Sequence, residues 1–430
     1  MQTIKDHPLR YGLANELHAR PFPSLQAPCH AAFLAIKQEV DAASRDRDLD
    51  RQHLLALLDR YGAAHPQPGA THWFGDLGRF KLKWESHTEF VTYTLFGDGV
   101  PERSFDGSSF AAFPQEWLAE APGLRVTSAL IRVQTDPGDD RIFDHLADWF
   151  VPESLACSRV LEGSMTIAGD FRIDENGHMR FAVFVGDTCG PRRLGRVVQR
   201  LCEIETYKSM SMLGLSRVRA MSAGLTNIDE TLTQIMDEMT HQMTGPATPA
   251  DETLTTLLQA SSQLEALAAK SAYRFAATAA YETLVNQRID ILREQQFRGL
   301  QTFAEFMMRR FDPAMRTVKA TERRVSSMSA RATRASDLLR TRVDVERSAQ
   351  NQSLLASMDR RADLQLRLQK TVEGLSVVAV SYYAVNLALY MLQPLGVAAG
   401  LSKLLLAALV TPAVVLGVWW MMRRIRDKIE

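Results

Sequence analysis

The hydrophobic pattern of this chain changes character twice along its length. Up to about Arg193, short apolar runs of strand length alternate with helical patterns and turn signals. From Gly195 to about Glu373, apolar positions recur at helical spacing with few helix breakers, which predicts long helices. After Leu375 the apolar residues become almost continuous, as in membrane-spanning segments. The predicted fold is an α+β or α/β domain, followed by long helices, a coiled-coil stalk and a C-terminal hairpin of two transmembrane helices.

Residues 1–193 form the predicted sheet domain, in which strands and helices interleave. The Asn176–Gly177 pair separates two alternating runs between Phe171 and Val185, and Asn-Gly favours the tight turn of a β-hairpin. The candidate strands are Ala32–Ile36, Phe80–Trp84, Phe90–Phe96, Ala129–Val133, Gly163–Ile173 and Met179–Val185. The candidate helices are Arg51–Gly62, Phe113–Glu120 and Ile142–Phe150.

Residues 194–312 are predicted to be a separate helical region. Its first helix is Gly195–Leu215, and a second, at about Asn227–Met243, ends at the breaker run Gly245–Pro249. Glu203 and Glu205 lie two apart on the first helix and therefore do not face each other. We interpret Glu205 and Tyr207 as part of a packing network with the stalk.

Residues 313–374 are predicted to be one stalk helix that continues into the membrane. Asp312 followed by Pro313 is the arrangement of a helix start, and no further breaker occurs before Pro394. Apolar or small residues keep a seven-residue period, which is typical of a coiled-coil seam. The seam fits either an oligomer or packing against the preceding helices of the same chain. Its members are Val318, Val325, Ala332 and Leu339, together with Met328 and Ala335.

Residues 375–395 and 404–422 are the two predicted transmembrane helices, and residues 423–430 form a basic tail. Each helix is near the length of about 20 residues that crosses the hydrocarbon of a bilayer. Basic residues flank the pair, whereas the loop between the helices carries only Lys403. The positive-inside rule then places both termini in the cytoplasm. The flanking basic residues are Arg361, Arg367, Lys370, Arg423, Arg424, Arg426 and Lys428.

The first transmembrane segment is unusually polar. Polar side chains inside a membrane either form hydrogen bonds between helices or line a water-filled path. Both alternatives stay open from the sequence. The candidate pore-lining or interhelical residues are Ser381, Tyr382, Asn386, Tyr390 and Gln393.

Composition narrows the possible functions. The formal net charge is zero, so no electrostatic argument favours a nucleic-acid partner. The four cysteines form no CxxC pair and are expected to be free thiols in a reducing compartment. The chain contains none of the common nucleotide-binding, hydrolase or zinc-protease motifs. We therefore predict a protein that is not an enzyme and has no cofactor.

Two pairs of residues in the sheet domain are the candidates for a cytoplasmic functional site. His87 and Glu89 lie two apart on a predicted strand and would share one face, as a metal-binding or acid–base pair or as a cross-strand ion pair. Glu16 and His18 fit either a loop site or a structural hydrogen-bonding role. A hydrolase would need all four to converge in one pocket.

Four segments carry a family resemblance over nearly the whole chain. Together they resemble the signatures of a bacterial family of predicted membrane-anchored proteins of unknown function. The resemblance implies a placement and no biochemistry. The segments are HPLRYGLANELHARPF (His7–Phe22), KWESHTEF (Lys83–Phe90), GRVVQRLCEIETYKSMSMLGL (Gly195–Leu215) and VEGLSVVAVSYYAV (Val372–Val385).

The order of elements also resembles that of CorA-type divalent-cation channels, over the residues from about Arg196 to the C-terminus. The stretch NQSLLASMDRRADLQ before the first span is similar to the stalk end of that family. The family's Gly-Met-Asn motif is absent, because the corresponding place, Leu389–Gly396, reads LYMLQPLG. The resemblance therefore implies a homo-oligomeric build and a possible divalent cation, but not magnesium selectivity.

The predicted protein is thus a homo-oligomer in the bacterial inner membrane, in contact with the lipid bilayer, that conducts or senses cations. The alternative is a membrane-tethered scaffold or sensor whose cytoplasmic domain binds a protein partner without conduction.

Overall fold

The structure consists of one nine-stranded sheet and nine α-helices among the residues that it describes. The computed structural model describes residues 4–16, 22–241, 250–398 and 402–429. The strands are β1 Cys29–Lys37, β2 His72–Asp76, β3 Phe80–Ser86, β4 Val91–Asp98, β5 Leu124–Thr135, β6 Ala156–Val160, β7 Met165–Gly169, β8 Met179–Val185 and β9 Gln295–Gln296. The helices are α1 Arg10–Glu16, α2 Arg47–Tyr61, α3 Gln115–Ala119, α4 Asp139–Trp149, α5 Pro191–His241, α6 Ala250–Asp290, α7 Phe303–Arg310, α8 Asp312–Ala398 and α9 Lys403–Ile429.

Contacts divide the chain into two units. The first consists of Met1–Pro246 and Thr255–Ala335, and the second of Ala247–Leu254 and Ser336–Glu430. The first unit contains the sheet, and the second contains most of α8 and all of α9.

The sheet has the order β2-β3-β4-β1-β5-β8-β7-β6-β9. Every neighbouring pair is antiparallel except β5 and β8, which are parallel. Of the two fold classes that the sequence left open, this arrangement corresponds to α+β.

Helices cover both faces of the sheet, because successive side chains of a strand point to opposite faces. On β1, Phe33 packs into a core with α5, α7 and the start of α8, whereas Leu34 packs into a second core with α2, α3 and α4. Val197 and Leu201 of α5 are fully buried in the first core. The first turns of α5 are therefore part of the sheet's own core.

Most predicted strands and helices of the sheet domain are confirmed, and Met179–Val185 has the predicted bounds. The strands β7 and β8 pair as an antiparallel hairpin. The predicted tight turn at Asn176–Gly177 is wrong, because residues 170–178 separate the two strands. The predicted strand Gly163–Ile173 is too long. It ends at Gly169 because the buried carboxylate of Asp170 pairs with Arg180 and the chain turns at Phe171, where φ is +51°. The strands β2, β6 and β9 and the helices α1 and α7 were not predicted.

The helical region differs from its prediction in two places. The predicted helices Gly195–Leu215 and Asn227–Met243 are one continuous helix, α5, because Met221 and Leu225 continue its buried stripe across the gap. The helix α6 ends at Asp290, before Gly299, and Arg293 and Arg298 both take left-handed φ values in the connection to α7. The breaker run at 245–249 lies outside the described residues.

The predicted helix start at Asp312 is confirmed, and α8 runs through Pro394 to Ala398. Arg324 and Arg331 of α8 both bind Asp229 of α5, and Lys319 binds Glu282 of α6. The coiled-coil role of the stalk stays a prediction. The seam residues of the first unit are buried in the same chain, namely Val318, Val325, Met328, Ala332 and Ala335.

Candidate functional site

A cavity of about 210 Å³ lies between one end of the sheet and the helices α5 and α6. The apolar part of its lining consists of the rings of Phe22, Phe33, Phe90 and Tyr207, together with Cys202. The polar part consists mainly of Glu85, His87, Gln199, Glu203, Thr206 and Arg288. The cavity therefore combines an apolar wall with several charged groups, which is the composition of a small-molecule site.

The polar wall begins on β3, where alternate residues face α5. Leu82 and Trp84 belong to the core on the opposite face, so Lys83 and Glu85 point toward α5. Lys83 is only 4% exposed. Its Nζ donates a hydrogen bond of 2.7 Å to Oε1 of Gln199 and lies 3.1 Å from Oε2 of Glu85. A buried ammonium group needs such partners, since an isolated buried charge is very costly.

The chain of hydrogen bonds continues along α5 to α6. Nε2 of Gln199 donates a 2.7 Å hydrogen bond to Oε1 of Glu203, one helical turn away. Oε2 of Glu203 in turn accepts from Nε of Arg288. The wall thus links Glu85, Lys83, Gln199, Glu203 and Arg288, and its two cations balance its two anions.

The turn between β3 and β4 supplies another side of the cavity, and Arg45 holds this turn in place. The buried Arg45 guanidinium donates to the backbone carbonyls of His87, Thr88 and Phe90 over 2.9, 2.5 and 3.1 Å. It also pairs with the Asp50 carboxylate at 2.7 Å. The ring of His87 stacks on that of Phe90, with 4.4 Å between ring centroids.

The prediction that His87 and Glu89 share one face of a strand is wrong, because both lie in the turn after β3. His87 lines the cavity. Glu89 is fully buried and binds both terminal nitrogens of Arg274 on α6. Burial and the neighbouring Glu89, to which the Tyr281 hydroxyl hydrogen-bonds, raise the pKa of Tyr281. The partner of Glu89 is thus an arginine on a helix, where a cross-strand residue had been expected.

The other two candidates cannot be placed at the cavity. Glu16 is the last residue of α1, but its side chain is not described. His18 lies outside the described residues. Glu203 and Glu205 point in different directions, as expected. Glu205 is fully buried, where it accepts hydrogen bonds from Thr127 and Ser209 and pairs with Lys208. These partners lie on β5 and on α5 itself, so the predicted contact of Glu205 with the stalk is wrong.

The charged wall of the cavity was missed by the sequence reasoning. Apart from Arg288, its residues fall in segments that had been quoted for their family resemblance, and among them only His87 had been named as a candidate site residue. Lys83, Glu85, His87 and Phe90 come from KWESHTEF. Gln199, Glu203 and Thr206 come from the segment that begins at Gly195, and Phe22 ends the N-terminal segment. Three of the four segments therefore meet at this cavity.

Within the described residues, α8 and α9 are the two helices long and apolar enough to cross a membrane, and only 6% of the apolar window of each is buried. A crevice of about 220 Å³ between them is lined by Asn386, Tyr390, Gln393 and Lys403. Three of the five candidate pore-lining or interhelical residues, Asn386, Tyr390 and Gln393, thus face this crevice. Ser381 is buried and Tyr382 is exposed.

The described part of the chain contains no group of three or more His, Cys, Asp or Glu side chains that could hold a metal ion. A divalent-cation partner stays a prediction.

Comparison with known proteins places the chain in a family without assigning it an activity. No curated protein matches the chain. The model of a family described as "Protein of unknown function (DUF3422)" matches residues 5–429. Since this match covers nearly the whole chain, the protein belongs to the DUF3422 family.

Proposed function

We propose that this protein is a membrane-anchored receptor, held in the bacterial inner membrane by its two C-terminal helices, whose sheet domain binds a small soluble ligand. The main support for membrane anchoring is that two long helices each expose an apolar stretch of membrane-spanning length. Only 6% of that stretch is buried in each helix. Apolar surface of this extent is rare on soluble monomers, whereas a bilayer covers it at no cost.

The charges that flank these helices support a cytoplasmic location for both termini. Basic residues occupy the last two turns of α9, and the guanidinium groups of Arg423 and Arg424 lie 5.4 and 5.2 Å from the ring centroids of Trp419 and Trp420. Tryptophan beside arginine is the usual composition of the inner membrane interface. The four free cysteines, Cys29, Cys157, Cys189 and Cys202, fit a reducing cytoplasm.

A reporter that is active only outside the cytoplasm tests this topology. Fused after Glu430, it is expected to give no signal, because the basic tail stays inside. Inserted at Gly400, between the two helices, it is expected to give a strong signal. The reverse pattern, or no signal at either site, would contradict the proposed anchoring.

The cavity supports a binding role for the sheet domain. Its wall joins four charged side chains in one hydrogen-bonded chain, and three segments of the family resemblance contribute to it. Glu89 supports a role other than catalysis, because its carboxylate is fully buried and engaged by Arg274. We therefore propose a receptor that senses its ligand without converting it.

We also propose that two or more copies of the chain associate through the second unit. Large apolar side chains on α8 ahead of the membrane segment are more than half exposed, and a second copy of the chain would cover them. These residues are Val345, Leu354, Leu355, Met358, Leu364 and Leu368. A cation-conducting oligomer is the second candidate, favoured by the polar crevice between α8 and α9.

Replacement of Asn386 by leucine separates these two roles. Its side-chain amide donates a 3.0 Å hydrogen bond to the Tyr382 carbonyl of its own helix and lines the crevice. If it bonds between helices, Asn386→Leu weakens association by about 1 kcal/mol and changes no flux. This is the result that we expect. If the crevice conducts, association persists and cation flux into liposomes changes, because an apolar group then narrows the path. Oligomer mass and flux are measured on the same preparation.

A further inference from the structure

We propose that the cavity of the sheet domain binds a small zwitterion, specifically an α-amino acid with an apolar side chain. This inference rests on the proposed binding function and names its ligand. Three features of the cavity support it. The two ends of the polar wall, Arg288 and Glu85, have hydrogen-bonding groups that are not engaged by other described residues. The wall has no net charge, and the cavity has the size and the aromatic lining to hold an apolar side chain.

The Arg288 end of the wall can bind a carboxylate. Only Nε of Arg288 is engaged, by Glu203, so among the described residues its two terminal nitrogens have no partner. The side chain is 27% exposed, which leaves these nitrogens within reach of a solute. A guanidinium edge with two free N–H donors matches the two oxygens of a carboxylate.

The Glu85 end of the wall can bind an ammonium group. Oε2 of Glu85 lies 3.1 Å from Nζ of Lys83, whereas Oε1 has no hydrogen-bond partner among the described residues. Glu85 lines the cavity, and its side chain is mostly buried. A mostly buried carboxylate oxygen is a strong acceptor for an ammonium donor, because charge-assisted hydrogen bonds gain strength away from water.

Charge balance distinguishes a zwitterion from a simple anion or cation. Lys83 and Arg288 already balance Glu85 and Glu203, so the wall is neutral before a ligand enters. A ligand with one negative and one positive group keeps the cavity neutral, whereas a ligand with a single charge adds an uncompensated charge to a partly buried site.

Size and lining indicate the side chain of the ligand. A protein cavity of about 150 Å³ can hold benzene, so a volume of about 210 Å³ accommodates one ring or a branched aliphatic group and a few polar atoms. The rings of Phe33 and Phe90 are almost fully buried and provide an apolar floor, while Phe22 is exposed to solvent. These features fit leucine or phenylalanine.

Calorimetry on the full-length protein in detergent tests the inference with three matched probes. These are L-phenylalanine, 3-phenylpropanoate, which lacks the ammonium group, and 2-phenylethylamine, which lacks the carboxylate. L-Phenylalanine is expected to bind at least about tenfold more tightly than either analogue, since each lost charge-assisted contact is worth roughly one decade or more.

Two variants assign the contacts. Arg288→Gln is expected to weaken L-phenylalanine about tenfold or more without weakening 2-phenylethylamine, because the wall then carries a net negative charge that favours a cation. Glu85→Gln is expected to weaken L-phenylalanine without weakening 3-phenylpropanoate, because the wall then carries a net positive charge. Arg293→Gln is the control, because Arg293 forms an exposed pair with Glu162 away from the cavity lining. An unchanged thermal midpoint shows that each variant is folded.

Equal binding of L-phenylalanine and one analogue would overturn the zwitterion but leave the cavity a binding site. If none of the three probes binds, both this inference and the binding role of the sheet domain are overturned. The reporter fusions decide membrane anchoring independently of either result.

Discussion

Replacement of Arg45 by alanine is expected to lower the free energy of unfolding by about 3–5 kcal/mol, because it leaves a buried charge without its partner. The side chains of Arg45 and Asp50 are only 1% and 4% exposed. Arg45 also donates to three backbone carbonyls of the turn between β3 and β4. The variant therefore loses a buried ion pair and the donors that hold one side of the cavity.

Urea unfolding of the full-length protein in detergent, followed by tryptophan fluorescence, measures this loss. Trp84 and Trp117 are buried in the core that contains α2 and report on the same region. Arg60→Ala is the matched control. Arg60 pairs with Glu116 at the surface, with side chains 46% and 80% exposed, and such pairs are worth about 0–1 kcal/mol. If both variants lose the same free energy of unfolding, the buried ion pair and hydrogen bonds of Arg45 do not stabilise the fold more than a surface ion pair does.

A second variant, Arg45→Lys, separates charge from geometry. Lysine keeps the positive charge beside Asp50 but cannot reach several carbonyls with a planar fork of donors. It is expected to lose less stability than Arg45→Ala and still to loosen the turn that carries His87.

The loss in Arg45→Ala is expected to depend on pH. Burial raises the pKa of Asp50, and the neighbouring Arg45 opposes that rise. Removal of Arg45 raises the folded-state pKa further above the unfolded value of about 3.9. A carboxyl group with a raised pKa destabilises the folded state above that pKa, and this penalty disappears as the pH falls to the unfolded value. The deficit of the variant therefore shrinks on acidification, to the part caused by lost hydrogen bonds.

The sequence predicted correctly those helices and strands whose bounds are determined by residues close together in the chain. Met179–Val185 alternates across two buried faces and follows an Asn-Gly pair, and its bounds are as predicted. The Asp312–Pro313 pair likewise marked the start of α8 correctly. In both cases the backbone preference of the residues agrees with the tertiary contacts, so no distant residue is needed to decide the structure.

The candidate site could not be predicted in the same way, because it depends on pairs far apart in sequence. Lys83 and Gln199 are 116 positions apart, and Glu89 and Arg274 are 185 apart. Apolar and polar residues alternate along β3, which is the pattern of a strand with one face exposed to water. In the structure α5 covers the polar face instead, and Lys83 is buried. Only the packed structure shows that this polar face is inside.

The prediction of two helices within α5, separated by a gap at residues 216–226, was wrong because it also ignored distant contacts. Gly224 weakens the local preference for helix, but Met221, Leu225 and Ile228 are buried on a continuous stripe. Burial of a large apolar side chain is worth about 1.5–3 kcal/mol, which exceeds the cost of about 1 kcal/mol for a glycine inside a helix. Tertiary packing therefore overrides the local signal.

The same helix offers a pair of glycines at which one substitution is expected to act with opposite signs. A Cβ atom added to Gly195 would lie 1.7 Å from the carbonyl oxygen of the buried Pro23, and 2.7 Å from its carbonyl carbon. Both are backbone atoms, which cannot move without displacing the segment before β1. A Cβ atom added to Gly224 would meet only Cδ1 of Leu267, at 3.7 Å, an ordinary contact distance.

Gly195→Ala is therefore expected to destabilise the protein by about 1–3 kcal/mol through overpacking. Gly224→Ala is expected to stabilise it by about 1 kcal/mol, because alanine is the better helix former and no clash opposes it. The displaced segment carries Phe22, and its Leu25 amide donates to the Pro191 carbonyl at 3.1 Å. Gly195→Ala should thus also weaken any ligand of the cavity, whereas Gly224→Ala should not. Urea midpoints and L-phenylalanine titrations of the two variants check both statements. Stabilisation by both substitutions would show that the segment from Phe22 to Leu25 does not lie against the start of α5.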